Sequence, residues 1–342
     1  MNNKILFNTE GISTFIRNMR ADLFIGIDGG ASKTAAILCD ATGRVHARAR
    51  GNCGVIGPTV SPVLGETLRS LSGALLTQAG VSGADVRGWA LGLSGVDFVD
   101  EHAAQRADVA RVLDVTPSSK LTLVNDGIVA LWGASASPAA AILQHGSGVT
   151  AAWRDDYGRE QLFDHLNVGQ LFDIREQLLP LVARMIDGRE EPTSLLPGTL
   201  EHLGVSPEHF ANRLYRRQLD ANKLRSTPPL IYDSWLAGDP AADRLVQAAV
   251  ADYALLATTL AHRTGSPKPE IVFGGGVINV APPAFLTALD SAVRRHVPGA
   301  VIRRPLLPPE FGAAALAAFK SGCGPHALLE AWRPYYSTGE TS

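Results

Sequence analysis

Short apolar runs separated by turns dominate the first part of the chain. FIGID at 24–28 and TAAILCD at 34–40 are mainly apolar, and RVHARARG at 44–51, which alternates polar and apolar residues, follows them after a short turn. Such runs with short connections are typical of β-strands, so they predict an opening β-meander. A helix is predicted next, from Ser61-Pro62 to Gly80, because proline is favoured at the first helical position.

The pattern then alternates between strands and helices. VRGWALGLSG at 86–95 is a predicted strand and is followed by a helix over about 98–113. A buried strand, LTLV at 121–124, runs into the turn NDG and a short helix. The order β-β-β-α-β-α-β-α predicts a mixed α/β domain over 21–137.

The opening pattern recurs after residue 138. AAILQ, the turn HGSG and VTAAW repeat the strand-turn-strand arrangement, and REQLF is a candidate third strand. Beyond it the pattern predicts further helices and strands, namely helices over 168–187, 240–264, 282–296 and 310–320 and strands over 270–276 and 300–305. This recurrence predicts a pseudo-duplicated enzyme with a cleft between its halves, the second domain covering 138–335. Residues 1–20 are expected to be a disordered leader, since Met19 stands just before the first strand.

Composition narrows the class of protein. The chain has 342 residues, of which 46% are hydrophobic, enough for two domains with full cores. A net charge of −2 gives no reason to expect nucleic acid or an acidic membrane as a partner. The apolar runs are too short for a membrane span, and the N-terminus does not read as a signal peptide. Three scattered cysteines, Cys39, Cys53 and Cys323, favour a reducing cytoplasm.

The segment FIGIDGGASKT at 24–34 carries the first candidate chemistry. Gly29 and Gly30 let the backbone approach a ligand, and backbone N–H groups in such a turn attract anionic oxygens. Ser32 and Thr34 add hydroxyl donors, and Asp28 is placed to hold a hydrated Mg²⁺ ion. A P-loop is excluded because Ser32, not glycine, precedes Lys33 and because a β-hairpin follows instead of a helix. Taken alone, the segment fits a phosphate clamp or an ordinary hairpin turn.

Five further motifs follow in order: GLSGVD at 92–97, VNDG at 124–127, HGSG at 145–148, FGGG at 273–276 and LPPEFGAAALA at 307–317. With the first segment they resemble the acetate and sugar kinase, actin and heat-shock chaperone superfamily. The resemblance spans about residues 22 to 320 and is closest to the branch that holds N-acetylglucosamine kinase and the BadF/BadG/BcrA/BcrD ATPases. It implies two actin-like (ribonuclease H-like) α/β domains with a nucleotide cleft between them.

The resemblance also implies an activity. This is ATP-dependent phosphorylation of a hydroxyl on a sugar or amino sugar, with ATP and Mg²⁺ as cofactors and a homodimer as the common assembly. Physically, phosphoryl transfer needs in-line positioning, neutralised charge and a carboxylate aligned with the attacking hydroxyl. The implied roles are Asp126 as general base; Asp28 near magnesium; Gly29, Gly30, Ser32, Lys33 and Thr34 as the first phosphate loop; Gly146, Ser147 and Gly148 as the second; Gly274, Gly275 and Gly276 against adenosine; and Asn52, Ser94, Gly95 and Asp97 facing the sugar.

One segment departs from the family pattern. Kinases of this branch carry a GDEGS-like motif after the second hairpin, whereas this chain reads FDHLNVGQLFDIREQL at 163–178. Asp164 and His165, just before the predicted helix, are therefore expected to contact the acceptor. Asp173 is expected to lie inside that helix and to be solvated or paired with Arg175. The identity of the acceptor stays open.

Two functions other than a kinase are compatible with parts of the sequence. Activator-type ATPases share an iron–sulfur cluster within a dimer, and such clusters need thiolate ligands. The chain has no cysteine between Cys53 and Cys323, which disfavours this function. A regulatory protein that binds sugar and nucleotide without catalysis also remains open, since Asp126 argues against it and the missing GDEGS motif argues for it.

Overall fold

The computed structural model describes residues 22–31, 33–146, 148–163 and 171–336. The strands are β1 (Leu23–Gly29), β2 (Thr34–Asp40), β3 (Val45–Gly51), β4 (Val86–Leu93), β5 (Leu121–Val124), β6 (Ala140–His145), β7 (Val149–Arg154), β8 (Glu160–Leu162), β9 (Glu270–Gly274) and β10 (Val301–Arg303). The α-helices of the described residues are α1 (Pro62–Ala79), α2 (Val99–Val112), α3 (Asp126–Ala134), α4 (Ile174–Ile186), α5 (Leu195–Leu203), α6 (Pro207–Tyr215), α7 (Ala221–Arg225), α8 (Pro228–Leu236), α9 (Pro240–Arg263), α10 (Gly276–Asn279), α11 (Pro283–Arg294), α12 (Pro309–Lys320) and α13 (Pro325–Tyr336).

The chain divides into two compact units. Unit 1 combines the residues up to Ala136 with those from Leu306 onward, and unit 2 is Ser137–Pro305. The predicted second domain, 138–335, therefore differs from the structure at its C-terminal end. The reason is packing, because a Cβ on Gly26 of β1 would lie only 2.3 Å from the Glu310 carbonyl oxygen and the Ala314 nitrogen. Helix α12 lies directly against the first sheet.

Unit 1 is built on a five-stranded mixed sheet in the order β3-β2-β1-β4-β5. Strand β1 pairs antiparallel with β2 and parallel with β4, and Asp28 lies opposite Gly92 across the parallel pair. Its core includes the fully buried side chains of Ile25, Leu38 and Leu91. The register brings the carboxyl ends of β1 and β4 to the same edge of the sheet, where parallel α/β sheets bind ligands.

Unit 2 repeats this topology. Its sheet has the order β8-β7-β6-β9-β10, in which β6 pairs antiparallel with β7 and parallel with β9. The predicted duplication of the strand-turn-strand opening is therefore confirmed. The predicted third strand is present but short, and the long helix α9 contributes Tyr253, Ala257 and Leu260 to the core.

Two predicted boundaries are wrong in detail. Asp126 is the first residue of α3 and not part of a turn before the helix, because Asn125 caps the helix by accepting the Gly127 N–H. Asp173 is the N-cap of α4 and not an interior residue, since the helix begins at Ile174. None of the helices in the described part of the chain is both long and apolar enough to cross a bilayer.

Candidate active site

The first glycine turn is held by close backbone packing. A Cβ on Gly54 would lie 2.5 Å from the Gly29 Cα, and the Gly54 N–H donates to the Gly30 carbonyl at 2.9 Å. The Gly30 N–H in turn donates to the Lys33 carbonyl at 3.0 Å, so this amide closes the turn. The 52–54 segment can approach so closely only because both partners lack a side chain.

Thr34 does not present its hydroxyl for a ligand. Its side chain is fully buried and donates to the main-chain carbonyl of Asn52. The expectation of a phosphate contact from Thr34 is therefore wrong, because the hydroxyl proton is already used to tie β2 to the loop after β3. The Asn52 residue itself is exposed, as is Lys33.

Asp28 lies at the end of β1, in surroundings that disfavour its ionised form. Burial, together with the neighbouring carboxylates of Asp126 and Glu310, raises its pKa to about 7, although Lys33 acts against this rise. Three carboxyl groups therefore meet here, of which Asp126 and Glu310 both act on Asp28. They come from the end of β1, the start of α3 and the first turn of α12. A cation at this place would relieve their mutual repulsion.

Asp126 lies in a small cluster of hydrogen-bonded polar side chains. The Ser94 hydroxyl donates to its Oδ2, and Asn125 donates through Nδ2 to Asp97 Oδ1 at 2.7 Å. Burial raises the pKa of Asp126, although the Ser94 and Gly127 hydrogen bonds act against that rise. Three predicted site residues, Ser94, Asp97 and Asp126, therefore form one cluster in unit 1. Asn125, which was not predicted, belongs to the same cluster.

The Ser94 loop is fixed at both ends. The Ser94 N–H donates to the Gly29 carbonyl and its carbonyl accepts from the Ile56 N–H, both at 2.9 Å. Gly95 has a φ of 96°, and a Cβ there would lie 2.0 Å from the Ile56 carbonyl oxygen. Gly95 is thus required by the backbone, and it gives the loop its path past β1.

Gly95→Ala is expected to destabilise unit 1 and to displace Ser94 from Asp126. The left-handed backbone alone costs about 1–3 kcal/mol for a residue with a side chain, and the clash adds to it. Chemical denaturation measures this loss. Gly73→Ala is the matched control, because Gly73 lies inside α1 with nothing within 4 Å of an added Cβ. A wild-type unfolding free energy for Gly95→Ala would contradict the assignment.

Unit 2 brings its two glycine motifs together. The Gly146 N–H donates to the Gly148 carbonyl at 2.9 Å, which closes the second turn. A Cβ on Gly146 would lie 3.8 Å from the Gly276 nitrogen, at the start of α10. Gly275, with a φ of 91°, packs against the His145 backbone, where a Cβ would lie 2.5 Å from the carbonyl carbon.

Four predicted site residues, Ser32, Ser147, Asp164 and His165, lie outside the residues that the structure describes. The ion pair predicted for Asp173 is confirmed, since Arg175 Nε lies 2.9 Å from its Oδ1. Sequence reasoning assigned no role to Glu310 or Asn125, although both stand inside quoted motifs. The signals were available, because asparagine before a short helix and glutamate in a first turn are typical capping positions.

The carboxyl cluster suits magnesium better than a caged metal. Among the described residues, no group of three or more His, Cys, Asp or Glu is arranged to hold a metal ion by itself. Mg²⁺ normally keeps several waters and binds through one or two carboxylates together with phosphate oxygens. Asp28, with its raised pKa and carboxylate neighbours, fits that mode.

Comparison with known proteins places the chain. The model of the BadF/BadG/BcrA/BcrD ATPase family matches residues 25–317. The chain belongs to this family. Among curated proteins, it is 26% identical over 320 residues to N-acetyl-D-glucosamine kinase of Dictyostelium discoideum, covering 87% of this chain and 98% of that protein.

Solved structures support the fold. A putative N-acetylglucosamine kinase from Chromobacterium violaceum has a TM-score of 0.59 at 20% identity and covers 87% of this chain and 99% of its own. A ROK family glucokinase from Streptomyces griseus, solved with glucose and AMPPNP, has a TM-score of 0.53 at 16% identity, with coverage of 87% and 99%. The predicted fold class, two actin-like α/β domains, is confirmed.

Proposed function

We propose that this protein is an ATP-dependent kinase that phosphorylates a hydroxyl of a sugar or amino sugar, of the N-acetylglucosamine type. The observation that carries the proposal is Asp126, a partly buried carboxylate at the start of α3 whose Oδ2 accepts the Ser94 hydroxyl. It lies in the same unit as Asp28 and the first glycine turn. The family match and the curated kinase relative support the same activity.

In the proposed reaction, Asp126 accepts the proton of the acceptor hydroxyl as that oxygen attacks the γ-phosphorus, and the bond from the γ-phosphorus to the β–γ bridging oxygen breaks to release ADP. Ser94 fixes the carboxylate, and the dipole of α3 favours its ionised form at the helix N-terminus. Asp28 would hold the cofactor cation Mg²⁺, which would neutralise phosphate charge there. Gly29, Gly30 and Lys33 approach one part of the triphosphate, and Gly146 to Gly148 approach another.

The remaining predicted contacts complete the proposal. Gly274, Gly275 and Gly276 form a flat backbone surface against adenosine, while Asn52 and Asp97 hydrogen-bond the sugar with Gly95 shaping the loop. Asp164 and His165 stay candidates for further acceptor contacts. A buried polyol needs every hydroxyl paired, since each unpaired buried group costs about 1–3 kcal/mol. Cys39, Cys53 and Cys323 are free thiols, which suits a reducing cytoplasm, and a homodimer is the proposed assembly.

The test is turnover against a panel of acceptors. The full-length protein with MgATP should release ADP when N-acetylglucosamine, glucosamine or a related hexose is added, and the sugar phosphate should appear in equal amount by mass spectrometry. ADP release without sugar is the control for ATP hydrolysis. Binding of both sugar and MgATP without any phosphorylated product would contradict the kinase and favour the regulatory alternative.

A further inference from the structure

A buried polar network lies directly behind the second glycine turn. His145 is the last residue of β6 and stands next to Gly146, yet its side chain is only 1% exposed. Its Nδ1 is hydrogen-bonded to the Tyr253 hydroxyl, and its Nε2 lies 3.2 Å from Asp173 Oδ2. The Arg175 guanidinium completes the network at 3.2 Å from the same Nε2.

The charges of Asp173 and Tyr253 follow from their surroundings. Burial opposes ionisation of Asp173, but hydrogen bonds from His145 and Arg175 outweigh it and hold the pKa of Asp173 well below its usual range. Burial raises the pKa of Tyr253, so the phenol keeps its proton. The ionised Asp173 accepts a hydrogen bond from Nε2–H, which leaves Nδ1 to accept the Tyr253 O–H.

Helix α9 anchors the network from two consecutive residues. Tyr253 reaches His145, while the adjacent Asp252 accepts the Phe172 N–H at 2.7 Å. The second bond holds the chain just before Asp173, the N-cap of α4. The His145 side chain is thus fixed by α9 and the start of α4, and its main chain is fixed by Gly275.

A buried network of this kind is not expected to add much to the free energy of unfolding. Buried ion pairs lose solvation that their attraction only partly returns, and apolar residues of similar volume often serve a core equally well. The network instead fixes the orientation of the His145 imidazole, because each hydrogen bond restrains the ring. His145 is also the residue from which the Gly146–Gly148 turn departs.

We propose that His145, held between Tyr253 and the Asp173–Arg175 ion pair, is a positioning residue that sets where the backbone of Gly146 and of Gly148, which are hydrogen-bonded to each other, lies for the phosphates of MgATP. This inference rests on the proposed kinase function. His145 is buried and acts through the backbone of the turn. Loosening the network should therefore weaken nucleotide binding and leave the affinity for sugar unchanged.

The experiment compares two tyrosines in the same core. Tyr253→Phe removes the hydroxyl that holds Nδ1, and Tyr232→Phe is the control, since its hydroxyl lies 3.4 Å from the Val277 carbonyl. Both rings pack against Phe285, so the packing change is alike. Calorimetry with MgATP in the absence of sugar should show about 3- to 10-fold weaker binding for Tyr253→Phe only, as expected for one lost hydrogen bond.

His145→Gln extends the test. It should weaken MgATP binding by about 10-fold or more, with the KM for sugar within about 2-fold of wild type, and adding Tyr253→Phe should produce little further loss because the two changes share one network. Wild-type MgATP affinity in the Tyr253→Phe variant, or an equal loss of sugar and nucleotide affinity, would overturn the inference. A wild-type protein that binds no MgATP would instead overturn the proposed function.

Discussion

Replacing Asp126 with asparagine is expected to lower kcat by about 10²–10⁴-fold, the usual contribution of a general base. The amide has nearly the same shape and can still accept the Ser94 hydroxyl, so the cluster should keep its geometry. The affinity for MgATP should stay within a few-fold of wild type. Rapid-quench kinetics with the best acceptor measures the chemical step, and calorimetry measures nucleotide binding.

Asp100→Asn is the matched control for this variant, because Asp100 is an exposed carboxylate in the first turn of the neighbouring helix α2. It should leave both kinetic constants unchanged. If Asp126→Asn retained a kcat within a few-fold of wild type, another residue would have to accept the proton. If it lost MgATP binding as well, the role of Asp126 would be structural and not chemical.

The pH profile of the wild-type enzyme should carry the same information. A base must be ionised, and burial raises the pKa of both Asp126 and Asp28, the latter to about 7. We expect kcat/KM to rise with pH through the neutral range, above the usual range for carboxylates. Because the two carboxyl groups interact, the apparent pKa of this rise in kcat/KM belongs to the pair and not to either residue alone.

Local patterns predicted most of the individual elements. Alternating apolar residues predicted β1 to β3, and Ser61-Pro62 marked the start of α1 because serine caps and proline begins helices. The weak recurrence of strand-turn-strand after residue 138 was enough to predict the duplicated sheet. These features depend on residues close together in the chain, which a single sequence displays directly.

Long-range contacts were not predictable in the same way. The return of α12 to β1 joins residues almost 300 positions apart, and the sequence shows it only as an unexplained glycine at position 26. The same contact brings Glu310 near Asp28. Thr34 was misjudged because every residue of β2 is buried and the Thr34 hydroxyl donates to the Asn52 carbonyl, a contact 18 positions away that the sequence does not display.

The electrostatics of Asp28 imply that this residue lowers the stability of the nucleotide-free protein. In the unfolded chain its pKa is the ordinary 3.8, whereas in the folded protein burial and the carboxylates of Asp126 and Glu310 raise it to about 7. Between these values the folded state retains a proton that the unfolded state has released. Stability therefore falls as the pH rises from about 4 to 7 and stays low above that range.

Asp28→Asn should therefore raise the melting temperature at pH 8 while abolishing magnesium-dependent binding of ATP. We expect a gain of at least about 2–4 °C at pH 8, the shift that corresponds to 1 kcal/mol in a domain of this size, and a smaller gain at pH 5. Glu66→Gln, an exposed change on α1, is the control and should leave the melting temperature unchanged at both pH values. Differential scanning calorimetry at the two pH values, with and without MgATP, measures both effects.

In the wild type, MgATP should stabilise the protein and release protons near pH 7, because a bound cation favours the ionised carboxylate. A variant that is no more stable than wild type at pH 8, or that still binds MgATP with wild-type affinity, would show that Asp28 neither carries this electrostatic cost nor holds the cation.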